Sequence, residues 1–96
     1  MKLDAIMIKP EDNVATALHD IQSNEVATVS VGEIQRNVRV IDDIPYGHKF
    51  AVVDIKKGDY VIKYGEVIGR ATQFIEQGAY SHVQNIESLR GRGDLG

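Results

Sequence analysis

One phrase recurs three times between residues 44 and 78: Ile44-Pro45-Tyr46-Gly47, Ile55-Lys56-Lys57-Gly58 and Ile75-Glu76-Gln77-Gly78. Each is Ile-x-x-Gly, and each leads into polar or β-forming residues. A tight turn into a strand often needs a positive φ, which Gly adopts without steric cost. Three such turns in so short a span predict a compact, turn-rich β domain rather than a helical bundle. Two of them are followed by a histidine: His48 directly after Gly47, and His82 four residues after Gly78. A turn that presents a histidine can form a site.

With 96 residues, one domain is expected. Its core is modest and marginal without a partner. A net charge of −3 gives no basic footprint for nucleic acid. No apolar run approaches membrane-spanning length, and Met1-Lys2-Leu3-Asp4 lacks the long apolar core of a signal peptide. The chain has no cysteine, hence no disulfide framework and no thiolate metal site. These features together predict a cytoplasmic protein with neither a nucleic-acid nor a membrane partner.

Along the chain, residues 2–8 read as a first strand. Pro10-Glu11-Asp12-Asn13 reads as a helix start, with Asp12 or Asn13 as the cap. Val14, Ala17, Leu18 and Ile21 follow at i, i+3, i+4, i+7, the spacing of one helical face. The expectation is one short amphipathic helix ending near Ser23-Asn24, with His19 exposed off its apolar stripe. Strands are expected over residues 26–31, 38–41, 50–53, 60–64, 71–75 and 81–86, with turns at Gly32-Glu33 and between Gly65 and Gly69. Pro45 breaks the ladder after Asp42-Asp43, because it lacks an N–H to donate. Residues 89–96 hold three glycines and no periodicity, and read as a flexible tail or linker after a domain spanning 1–88. The Arg92-Gly93-Asp94 triplet within it is read as chance.

His48, in Gly47-His48-Lys49, can move a proton near neutral pH or ligate a metal; the competing reading is a surface loop histidine. On a strand over 81–86, His82, Gln84 and Ile86 would share one face. His82 and Gln84 would then form a small polar surface, or simply a wet edge. Asp42-Asp43 and Asp54 can bind a hard cation, but read better as turn caps. Lys56-Lys57 and Lys63 can meet an anion, but read as solvated. No phosphate loop, Ser–His–Asp pattern or His-x-x-x-His helix is present. A chain this small with two or three convergent side chains is expected to supply part of a site that another subunit completes.

Several phrases in order carry a resemblance: Asp12-Asn13-Val14-Ala15, Ile44-Pro45-Tyr46-Gly47-His48-Lys49-Phe50-Ala51, Asp54-Ile55, Val61-Ile62-Lys63-Tyr64-Gly65 with Ile68-Gly69, and His82 with Asn85. Over roughly residues 5–88 the chain resembles the N-terminal domain of the altronate and galactarate dehydratase family, and the small subunit of sulfolactate sulfo-lyase. The resemblance implies a mainly β, SAF-type β-clip fold, related to type III antifreeze proteins, with short strands, glycine turns and the one short helix. It implies a sugar-acid hydro-lyase, in which a carbon acid beside a carboxylate loses its proton and the neighbouring hydroxyl leaves as water. Altronate would give 2-keto-3-deoxygluconate.

By the same resemblance, a large catalytic dehydratase subunit is the expected partner and a sugar acid the substrate. A divalent metal, commonly iron(II), is expected to be held mostly by that large subunit. The small domain would contribute His48 and His82 as catalytic groups, with either histidine a candidate metal ligand. Lys49, Asn85 and Gln84 would bind substrate. The family's terminal His-x-His-Asn reads His82-Val83-Gln84-Asn85 here. Gln84 can hydrogen-bond a hydroxyl, but it is a poor metal ligand and no proton shuttle. Sister expectations are a small subunit of galactarate dehydratase or sulfolactate sulfo-lyase, and a non-catalytic carbohydrate- or anion-binding module. A domain built to pack on a larger chain can leave an apolar patch uncovered, which favours homo-oligomers in isolation.

Overall fold

A computed structural model describes residues 3–89. Every regular element among them is a strand: β1 (Ala5–Met7), β2 (Val14–Ala17), β3 (Val26–Val31), β4 (Ile34–Arg39), β5 (Lys49–Ala51), β6 (Tyr60–Lys63), β7 (Glu66–Ala71), β8 (Tyr80–Ser81) and β9 (Ile86–Ser88). They form a six-stranded sheet in the order β4-β3-β1-β2-β5-β8 and a three-stranded sheet in the order β6-β7-β9. The pairings are antiparallel except β1 with β3. The mainly β architecture with short strands and glycine turns is as expected. Residues 90–96, with the predicted tail and its Arg-Gly-Asp triplet, lie outside the described residues.

The predicted helix is absent. Val14–Ala17 is instead a central strand between β1 and β5. Ala15 and Ala17 enter one hydrophobic cluster, with Phe50, Met7, Val29 and Ile44, while Val14 enters a second, with Ile55, Val61 and Ile75. A strand buried on both faces loses its period-two signature. Here the apolar residues fell by chance at helical spacing. Leu18, expected on the helical stripe, is 40% exposed. His19 is half-buried; its imidazole bonds the Asp4 carboxylate and the Asp20 carbonyl, both at 2.7 Å.

Asp12 and Asn13 cap something other than a helix. Asp12 is buried and accepts N–H groups from Ile8, Lys9 and Gly65. Burial pushes its pKa up, but the backbone donors outweigh that and hold the carboxyl below its ordinary value. Asn13 accepts from the Ile62 N–H at 2.7 Å and donates to the Tyr60 carbonyl at 2.9 Å. Together these two side chains fasten the small sheet to the large one.

The Ile-x-x-Gly phrases are turns that bind one another in pairs. Ile21 and Ile44 exchange backbone N–H···O=C bonds of 2.8 Å in both directions, and so do Ile55 and Ile75. The pairing reveals a fourth copy that the sequence pattern hides, Ile21-Gln22-Ser23-Asn24. Asn24 takes the left-handed conformation (φ 74°) that glycine takes in the other three, as asparagine tolerates. In each copy the fourth residue's N–H reaches back across the pair: Asn24 to Val40, Gly47 to Ala17, Gly58 to Ala71, Gly78 to Ala51. Each acceptor lies four residues before the partner's isoleucine.

The aspartate before the isoleucine completes the exchange. Asp20 accepts the Tyr46 N–H at 2.8 Å and Asp43 accepts the Ser23 N–H at 2.9 Å, a reciprocal pair. Asp54 accepts the Gln77 N–H at 2.8 Å. The predicted capping role of Asp43 and Asp54 is what the structure has, and Asp42 likewise accepts the Tyr80 N–H at 2.9 Å. In the copy that starts at Ile75 the aspartate is replaced by Phe74, so Lys57 receives no matching carboxylate.

Several expectations differ from the structure: the stretch between Gly65 and Gly69, expected as a turn, opens strand β7, because the reversal is completed at Tyr64-Gly65, both with positive φ. The strand returning from Gly32-Glu33 is Ile34–Arg39, earlier than the predicted 38–41. Residues 72–75 are not a strand but lead into the turn that ends at Gly78.

The paired turns make graded predictions for urea unfolding. Phe74→Asp should stabilise the chain by about 0.5–1.5 kcal/mol by supplying the missing cap, and Asp43→Ala should lose a similar amount. No gain from Phe74→Asp would show that the two turn pairs are not equivalent. Gly58→Ala meets open space but keeps a left-handed φ of 91°, which costs about 1–2 kcal/mol. Gly78→Ala carries the same backbone cost and also drives its Cβ into the Arg39 carbonyl. It should therefore be the more destabilising of the two, and equal midpoints would contradict that packing.

Candidate functional site

His48 and His82 arrive at one place because β5 and β8 are paired. The register sets Lys49 opposite Ser81 and Phe50 opposite Tyr80, so His48 lies across from His82. The ring centroids of the two histidines are 5.1 Å apart in an edge-on arrangement. The third ring of the cluster is Tyr80, which the sequence reading passed over. Its hydroxyl lies 2.7 Å from His48 Nδ1, and its ring stacks nearly parallel to His82, at 11° and 5.8 Å. Tyr80 packs against the larger hydrophobic cluster, so one side of the ring triad is anchored in the core. The available signal was the period-two phase of Tyr80 and His82 facing His48 and Phe50 across a strand pair.

Residues 81–86 do not form the predicted continuous strand. The His82 carbonyl accepts N–H bonds from both Asn85 and Ile86, closing a turn over 82–85. Asn85 causes this. Its side-chain carbonyl accepts the His82 N–H at 2.9 Å, its amide donates to the Tyr80 carbonyl at 2.9 Å, and it is only 7% exposed. The amide thus shapes the loop that carries His82, with both ends committed to backbone. Gln84 is exposed and reaches the Tyr80 carbonyl at 3.2 Å. His82, Gln84 and Ile86 accordingly share no strand face.

Lys49 is half-buried and, with His82, lines a cleft of about 220 Å³ whose other walls are Ile68, Val83, Ile86 and Ser88. Lys63, Tyr64 and Glu66 border a neighbouring depression that shares Ile68. Burial lowers the Lys49 pKa, and the charge of Lys63 lowers it further. Burial also lowers the pKa of His82, with Lys49 and His48 adding to the effect. Lys49 is the cationic group of the cleft, whose lining holds no carboxylate, while Glu66 borders the neighbouring depression beside Lys63. Lys56 and Lys57 stay exposed on the third turn.

Among the described residues, no three His, Cys, Asp or Glu side chains converge as a metal site. Tyr80 already engages His48 at Nδ1. Two imidazoles beside an ammonium do not make a metal centre within this chain. What the arrangement can do is attract an anion, hydrogen-bond its oxygens and exchange a proton with it.

Acid titration checks the electrostatics. Because folding lowers the His82 pKa from 6.5, the unfolded chain takes up this proton first. The His82 contribution therefore erodes stability as pH falls below 6.5, until the folded-state pKa is passed. Lys49→Met should raise the His82 pKa in an NMR titration, though burial should still keep it below 6.5. An unchanged or lower value would show that Lys49 does not act on His82.

No helix among the described residues is long and apolar enough to cross a membrane. Residues 3–89 match the family of altronate/galactarate dehydratase SAF domains. The chain is 41% identical over 83 residues to altronate dehydratase of Bacillus subtilis (strain 168), covering 86% of this chain and 16% of that protein. It is 33% identical over 93 residues to (2R)-sulfolactate sulfo-lyase subunit alpha of Chromohalobacter salexigens, covering 94% of this chain and 99% of that subunit. Galactarate dehydratase (L-threo-forming) of Escherichia coli (strain K12) is 35% identical over 75 residues, or 78% of this chain and 13% of that enzyme. The chain thus spans a small fraction of the dehydratases it matches and nearly all of the subunit alpha. With its strand-only fold and the match over residues 3–89, the chain belongs to the altronate/galactarate dehydratase SAF domain family.

Proposed function

We propose that this chain is the small subunit, or separately encoded N-terminal domain, of a sugar-acid hydro-lyase of the altronate dehydratase type. The observation that carries this reading is an incomplete site. His82 meets His48 ring to ring and lines a shallow cleft with Lys49, and among the described residues no group of three or more His, Cys, Asp or Glu side chains that could hold a metal accompanies them. A relative 33% identical to this chain is named as a subunit alpha, which supports a working partner.

In this reading the substrate is a hydroxylated carboxylate, with altronate the first candidate and 2-keto-3-deoxygluconate plus water the products. The Lys49 ammonium attracts the carboxylate, and its partial burial strengthens that attraction relative to open water. The two imidazoles would meet substrate hydroxyl oxygens, one to donate a hydrogen bond and one to exchange a proton. Asn85 and Gln84 act through the loop that holds His82. A divalent cation, expected to be iron(II), would polarise substrate oxygens when bound. The large chain would have to hold it, since the residues here do not form such a site.

The test is co-purification with a large dehydratase chain and assay of altronate, galactarate and sulfolactate with ferrous iron. Turnover should require both chains. His48→Ala should lower kcat by about 10²-fold or more in a complex that still forms, while Lys49→Met should act mainly on KM. An intact complex with unchanged rates in both variants would leave this chain a purely structural subunit. Failure to form any complex would favour a free-standing anion-binding module.

A further inference from the structure

The Tyr80–His48 contact sets the chemistry of the ring cluster. A neutral imidazole has one donor nitrogen and one acceptor nitrogen, and the partner of one fixes the role of the other. The partner here is a phenolic hydroxyl at 2.7 Å from Nδ1. In an O–H···N pair the phenol is the better donor and the bare imidazole nitrogen the better acceptor.

Tyr80 is also held so that the contact persists. Its backbone N–H is capped by Asp42 at 2.9 Å, its carbonyl receives the Asn85 amide at 2.9 Å, and its ring packs on the core cluster. No hydrogen bond engages the His82 imidazole among the described residues, so its acceptor nitrogen is available. Among the described residues that ring stacks on Tyr80 and meets the edge of His48.

We infer that Tyr80 is a positioning residue: its hydroxyl donates to His48 Nδ1 and holds His48 as the Nε2–H tautomer, so that His48 serves as a hydrogen-bond donor and His82 is left as the proton acceptor. In this division of labour His48 Nε2–H meets a substrate oxygen where negative charge grows, as an oxyanion donor does. His82 receives the proton: the substrate C–H bond breaks, its electron pair stays on carbon, and the proton goes to a His82 nitrogen. The lowered His82 pKa is consistent with this, because it keeps the ring neutral and able to accept at pH 7. Two histidines of the same residue type thereby take opposite roles, because one has a phenol on Nδ1 and the other does not. The catalytic part of the inference rests on the hydro-lyase reading above; the tautomer does not.

The tautomer is read directly from the ¹⁵N shifts and two-bond ¹⁵N–¹H couplings of the imidazoles in the intact chain near pH 8, without a partner or substrate. The wild-type chain should show His48 with a protonated Nε2 and an acceptor-type Nδ1. Tyr80→Phe keeps the ring and its stacking but removes the hydroxyl, and should shift the His48 Nδ1 resonance and admit the other tautomer. A wild-type His48 protonated on Nδ1, or a tautomer unchanged in Tyr80→Phe with the fold intact by backbone amide shifts, would overturn the inference.

In an active assembly with a large chain, Tyr80→Phe should lower kcat several-fold and alter the pH–rate profile. His82→Gln should abolish the basic group's titration from that profile. Persistence of that titration in His82→Gln would overturn the assignment of His82 as acceptor. Absence of turnover in the wild-type assembly would count against the hydro-lyase reading and would leave the NMR result for Tyr80 standing.

Discussion

The reciprocal binding of isoleucine turns is the constraint on which the rest of this structure depends. Strands of two to six residues contribute too few hydrogen bonds to stand alone. The two turn pairs join segments about twenty residues apart, and each pair places its isoleucines at a different hydrophobic centre: Ile21 and Ile44 in one, Ile55 and Ile75 in the other. Loop-closure entropy rises only slowly with length, so a few such pairs can fix distant segments at moderate cost. The aspartates tighten the pairs by satisfying N–H groups that the turns would otherwise leave open.

The same turns place the site. His48 follows Gly47 directly and begins the path into β5. Tyr80 begins β8, two residues after Gly78. The turn ending at Gly78 is seated against the approach to the turn ending at Gly47, through the Ile41 N–H to Gly78 carbonyl bond at 3.0 Å and the close passage of Gly78 over Arg39 and Val40. Asp42, in that approach, caps the Tyr80 N–H. The ring cluster is thus fixed from both sides by backbone geometry. Its positive character comes from Lys49 in the cleft that His82 lines, which suits an anionic ligand. A family fold that is otherwise built of repeated turns carries its chemistry where two of those turns release adjacent strands.

Much of this was legible in residue order. The glycine turns, β3 and its hairpin turn, the capping aspartates and the candidate pair His48 and His82 follow from turn chemistry and alternation. The helix over 14–21 was misread because β2 is covered on both faces, so its apolar residues carry no period-two signal. The turn over residues 21–24 was hidden because Asn24 stands where the other copies have glycine. The loop 82–85 looked like a strand because nothing local shows that Asn85 will turn its amide back onto residues 80–82. Tyr80 was missed because its partner His48 lies 32 residues away. Long-range pairing of this kind appears in a sequence only after the strand register is known.

The most direct measurement is hydrogen exchange on this chain alone and in complex with a large dehydratase chain plus altronate, resolved to short peptides. A half-site completed by the large chain predicts new protection concentrated on residues 44–51 and 80–86. Protection confined to residues 26–39, with 44–51 and 80–86 exchanging as they do in the free chain, would contradict it.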